Sequence, residues 1–93
     1  MFIYVLELHL SLPTITLKEK RGIIKSIQGR ASNRFNIACA EVDRQDSPRH
    51  AVLGFVTVSS DKVIARSCLE RLEEWVYESW PDVEIIGADI AEI

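Results

Sequence analysis

Several signatures that would assign a chemistry to this chain are missing from it. No glycine-rich phosphate loop, dinucleotide fingerprint or serine-hydrolase elbow occurs, so the commonest nucleotide and acyl-transfer chemistries have no anchor. Only two cysteines are present, Cys39 and Cys68, with no CxxC or histidine-rich spacing beside them. They predict free thiols in a reducing cytosol, and neither a metal nor another cofactor is expected. Histidine is equally scarce, limited to His9 and His50. No apolar stretch approaches the ~18 residues that cross a bilayer, so no membrane partner is expected. The opening Phe2–Leu12 run carries Glu7 and His9 and lacks a basic flank, which argues against a signal peptide and for a cytoplasmic protein. With a net charge of -3, bulk composition gives no reason to expect nucleic acid.

What is present is a pattern of alternating strands and helices. A chain of 93 residues, 47% hydrophobic and 27% charged, has material for one core, and residues 1–93 read as one domain. Residues 2–12 alternate with period two and form a strand that Pro13 ends. Thr16-Leu17-Lys18-Glu19 is a capping box that opens a helix, whose apolar stripe is Leu17, Ile23, Ile24, Ile27, Ala31 and Phe35. Asn33 to Asn36 end it. Ile37–Asp43 and the β-branched run His50–Ser59 read as strands around a polar loop, Arg44-Gln45-Asp46-Ser47-Pro48-Arg49. Ser60 or Asp61 caps a second helix with the stripe Ile64, Ala65, Cys68, Leu69, Leu72, Trp75 and Val76, which Pro81 breaks. Val83–Ile93 is the last strand. The order β-α-β-β-α-β predicts an α+β, ferredoxin-like sandwich: a four-stranded antiparallel sheet of order 4-1-3-2 with both helices on one face.

The other face of such a sheet is left open. Placing the apolar set of strand 1 with Val52, Gly54, Val56 and Val58 under the helices leaves Ile3, Val5, Glu7, His9, Leu53, Phe55 and Thr57 open, with Cys39 and Glu41 from strand 2. An apolar patch there marks an interface, most simply a homodimer using Ile3, Val5, Leu53 and Phe55. RNA-recognition motifs stack bases on this face, and Gly54-Phe55-Val56-Thr57-Val58 resembles the second half of their strand-3 signature. Strand 1 does not follow, because exposing Tyr4 would bury Glu7 and His9. An enzyme or metal site built from Glu7, His9, Glu41 and Cys39 is conceivable on this face, but no catalytic residue is assigned.

Charge is unevenly distributed. Lys18, Lys20, Arg21, Lys25, Arg30 and Arg34 gather in helix 1 with Glu19 as the only acid among them, whereas Glu70, Glu73, Glu74, Glu78 and other acids lie in the last quarter of the chain. Such a cluster can neutralise phosphates, against the commoner outcome of a solvated face. Lys20 falls inside the apolar stripe, and a structural ion pair with Asp43 or Asp46 is the favoured reading.

The runs Thr16-Leu17-Lys18-Glu19-Lys20-Arg21 and Arg34-Phe35-Asn36-Ile37-Ala38-Cys39-Ala40-Glu41-Val42-Asp43, with Gln45-Asp46 after them, resemble the YlxP-like family of small bacterial proteins. That family is a domain of unknown function, so the resemblance implies a ferredoxin-like fold and no activity. Its genes commonly adjoin those of translation initiation and ribosome maturation factors, which implies an RNA or ribosomal partner. The family's loop usually continues from Gln-Asp into a tryptophan, where this chain has Ser47-Pro48. The leading expectation is a non-catalytic binding module for structured RNA or a ribosomal particle through helix 1, with Arg44, Gln45 and Asp46 as a loop contribution. The alternative is a self-associating domain.

Overall fold

Each predicted element forms, with ends shifted by a residue or two. The computed structural model describes residues Met1–Ile93. Its order is β1 (Phe2–Ser11), α1 (Leu17–Arg34), β2 (Ala38–Asp43), β3 (His50–Ser59), α2 (Lys62–Ser79) and β4 (Glu84–Glu92). The start of α1 is the expected capping box: Glu19 N–H donates to Thr16 Oγ1 at 3.2 Å, and Thr16 N–H donates to Glu19 Oε1 at 3.1 Å. Of the two candidates, Asp61 caps α2, accepting from the amides of Val63 and Ile64. The helix stops before Pro81, whose missing N–H and ring cannot continue the ladder. No helix is long and apolar enough to cross a membrane.

The four strands form one antiparallel sheet in the order β2-β3-β1-β4, the expected order read from the other edge. Residues directly opposite in an antiparallel pair project to the same side. Leu6 lies opposite Phe55, Leu8 opposite Leu53 and Leu10 opposite Ala51. These six are at most 1% exposed, and they join Ile24, Ile27 and Ala31 of α1 and Ala65, Leu69, Leu72 and Val76 of α2 in one cluster. Both helices therefore cover the same face.

This register corrects the expected faces of β3 and β2. Leu53, Phe55 and Thr57 point into the core, and Val52, Gly54, Val56 and Val58 belong to the open side with Ile3, Val5, Glu7 and His9. Cys39 and Glu41 lie opposite Phe55 and Leu53, so they too face the helices. The cause is that β3 is apolar at both parities, so alternation does not mark its inner side. Side-chain volume decides: Leu and Phe fill the space under the helices, while the small Gly54 sits outside, where Val42 Cγ1 comes within 3.1 Å of the place a Cβ would take. In α2, Ile64 is exposed rather than part of the stripe, since the helix turns Ala65, Cys68, Leu69 and Val76 inward.

Truncation distinguishes the two faces of β3. Phe55→Ala is expected to cost about 3–5 kcal/mol in urea unfolding, and Val58→Ala less than about 1 kcal/mol. The reverse ranking would mean that β3 is turned over.

Candidate nucleic-acid interface

The start of α1 and the loop between β2 and β3, remote in sequence, meet around one ammonium group. Lys20 is 1% exposed. Its Nζ donates to the carbonyl oxygens of Arg44 and Ser47, each at 2.7 Å, and lies 2.9 Å from Glu41 Oε2. The carboxylate contact is short but off the hydrogen-bond line, so Oε2 is paired by charge without an aligned donor. Two further bonds fasten the same loop: Thr14 Oγ1 donates to Pro48 O at 2.6 Å and Leu12 N–H to Arg49 O at 2.7 Å. Arg44 adopts a left-handed φ of 62°, the one such residue in the chain, and turns its carbonyl to the ammonium group.

Two expectations change here. The carboxylate partner of Lys20 is Glu41, not Asp43 or Asp46; the Asp43 side chain instead accepts from the Arg44 amide at 2.7 Å. Lys20 is also withdrawn from the proposed phosphate-binding set, because its ammonium group is buried and shared among loop acceptors. Its place in the apolar stripe was the sequence signal for this.

The remaining cations divide by helical angle. Lys18, Arg21 and Lys25 are exposed, and the chain's ion pairs (Glu7 with His9, Lys20 with Glu41, Lys62 with Glu92, Arg66 with Glu70) leave all three without a carboxylate within 4.0 Å. Arg44, Gln45 and Asp46 are likewise exposed, and the Lys20 bonds hold them beside the first turns of α1. Arg30 and Arg34 belong to the other flank. The Arg30 guanidinium lies 4.8 Å from the ring centre of Trp80 and 5.8 Å from that of Trp75, and Arg34 sits 5.9 Å from the Phe35 ring. Trp75 makes edge contacts with Phe35 and Trp80. Arg30 thus closes the gap between the two helices, a role that no spacing rule revealed.

The grouping of Glu7, His9, Glu41 and Cys39 is split by the sheet. His9 Nε2 and Glu7 Oε1 are 2.8 Å apart on the open side, while Glu41 and Cys39 face the helices. No three His, Cys, Asp or Glu side chains converge as metal ligands would. Burial pushes the Cys39 thiol up from 9.0 to about 11, offset in part by a hydrogen bond from Gln28. Of the expected association residues, Ile3 and Val5 are on the open side, and Leu53 and Phe55, 0% and 1% exposed, are core.

Residues 3–90 match the family described as "Protein of unknown function (DUF503)". The chain is also 35% identical over 69 residues to "Uncharacterized protein YlxP" of Bacillus subtilis (strain 168), covering 74% of each chain. Among solved structures, "De novo designed protein Foldit4" is similar with a TM-score of 0.54 at 17% identity, over 98% of this chain and 96% of that one, a likeness of fold alone. The chain belongs to the DUF503 family.

Removing the buried ammonium strands Glu41 against the core. Lys20→Ala should lower stability by about 3 kcal/mol, at the low end for a broken buried pair because Glu41 keeps an edge in water; the unfolding midpoint in urea reads this. For Cys39, a rise from 9.0 to about 11 leaves on the order of 100-fold less thiolate near pH 8 than an ordinary cysteine. Alkylation of the native protein should be slower than that of the unfolded chain by a comparable factor. The sign on stability follows: between pH 9.0 and about 11 the unfolded thiol ionises first, so stability falls as pH rises through that window.

Proposed function

We propose that this DUF503-family chain is a small non-catalytic binding module for structured RNA or a ribosomal particle, built as a ferredoxin-like sandwich whose α1 supplies phosphate contacts. The observation that carries the reading is the exposed trio Lys18, Arg21 and Lys25, free of carboxylate partners in a chain whose net charge is -3. Cations already neutralised by acids would gain little from phosphate, whereas these are available to it. Two neighbouring features suit the same partner. Gly22 and Gly29 lie on the exposed crest beside the trio, and a Cβ at either would meet nothing within 4 Å, so a sugar-phosphate backbone can approach the helix closely. The loop clasped by Lys20 adds the exposed Arg44 at the helix start. Such contacts read backbone and shape rather than base sequence.

Anisotropy of a labelled ribosomal RNA fragment, titrated at low and at physiological salt, tests this. Binding is expected to weaken steeply with salt. In the Lys18→Glu, Arg21→Glu, Lys25→Glu triple variant the affinity should drop at least ~10-fold and the slope of log affinity against log salt should shrink by roughly 2–3. Retention of RNA by the variant with wild-type affinity, or no binding by the wild type at either salt, would overturn the proposal.

A further inference from the structure

The open side of the sheet presents a surface of different character from the α1 crest. Val5, Ala38, Ala40, Val42, Gly54 and Val56 line a shallow groove of about 490 Å³ across β2, β3 and β1. Val42 and Val58 stand 53% and 46% exposed, although both are β-branched residues suited to burial. The polar side chains collect toward β4, where Glu7 lies opposite Asp89. No lysine or arginine projects from this side of any strand.

We infer that this face is a self-association surface, covered in solution by the same face of a second copy of the chain. Charge argues against a polyanion, because the face carries acids and no Lys or Arg. Extent argues for a protein. Four strands ~4.8 Å apart and up to ~33 Å long give roughly 500–600 Å² in projection, and side-chain relief brings that toward the ~800 Å² per partner of a standard interface. Relief is also self-complementary. Ala38, Ala40 and Gly54 form a trough, and Val42 and Val56 form ridges beside it. A two-fold axis lying in the face and running across the strands at the level of Phe55 sets Val56 of each copy over Gly54 of the other and Ala38 over Ala40, seating ridge in trough, with β4 and its Asp89 at the edge of the contact. The edges are poorer routes to assembly. Both edge pairings are broken by a register shift, between Glu41 and Asp43 on β2 and opposite His9 and Leu10 on β4, and β2 is only six residues long.

Sedimentation velocity across ~1–500 µM tests the inference, since a dimer of micromolar or tighter affinity forms within that range. The wild type should approach about 21 kDa, twice the chain mass of 10.6 kDa. Val56→Glu should remain monomeric with at least a ~10-fold weaker association. Ala40→Arg, at an exposed position on the edge strand where folding is not at risk, should do the same with unchanged circular dichroism. A wild type that stays monomeric throughout would overturn the inference and leave the face to a different protein or a lipid surface. A dimer unaffected by Ala40→Arg would overturn it as well, since its contact would lie elsewhere.

Discussion

Between β1 and β3, Leu6 lies against Phe55 and Leu8 against Leu53, and from that one pairing the side of the other strand residues follows as far as the bulges in β2 and β4. Antiparallel partners share a face, so β3 passes the assignment on to β2 and β1 passes it to β4. A slip of one residue would bring Gly54 and Val56 under the helices and turn Phe55 and Leu53 into solvent. Burying a Phe and a Leu is worth about 1.5–3 kcal/mol each relative to exposure, which holds the register firmly. The same constraint splits Glu7 and His9 from Glu41 and Cys39, and it leaves the valines of β3 on the open side. Thus the register removes one conceivable chemical site and leaves an apolar strip on the open side.

Lys20 is the second point on which the architecture rests. A charged group at 1% exposure is costly unless every donor finds an acceptor. Two carbonyls and a carboxylate supply them, from the turn at Arg44 and Ser47 and from the edge strand β2. One side chain therefore sets the position of a whole loop relative to a helix. The desolvation of that charge is offset by its two hydrogen bonds and the Glu41 carboxylate, and the loop that carries the exposed Arg44 is held against the first turns of α1.

Much of this architecture is readable in the residues, and what is hidden has physical causes. The six elements, the capping box and the end of α2 at Pro81 follow from local signals, because each depends on a few adjacent residues, and the sheet order follows from the order of the elements. The faces of β3 do not, because Ala-Val-Leu-Gly-Phe-Val-Thr-Val is apolar at both parities and only packing volume against the helices decides. The partner of Lys20 was hidden for a related reason: its anomaly within the stripe is visible, but the choice among Glu41, Asp43 and Asp46 depends on which of them faces the helices. The clamp of Arg30 on Trp75 and Trp80 joins residues 45 or more positions apart, and no periodicity links them.

The two surfaces lie on opposite sides of the molecule, with cations on the helix layer and the apolar strip on the open sheet. Neither can then be a rim or extension of the other, and their effects are separable by mutation. They are also geometrically compatible. Two copies joined sheet to sheet would carry their α1 crests outward on opposite sides, each with its own unpaired Lys18, Arg21 and Lys25. A folded RNA able to reach both crests would gain from the second contact as an intramolecular event, without a new interaction being made; one that reaches a single crest would gain nothing from the pairing. The acids of α2 point the same way. Glu70, Glu73, Glu74 and Glu78 lie on the second helix of the same layer, so a polyanion approaching that layer would be repelled from the flank where Arg30 is engaged by tryptophan.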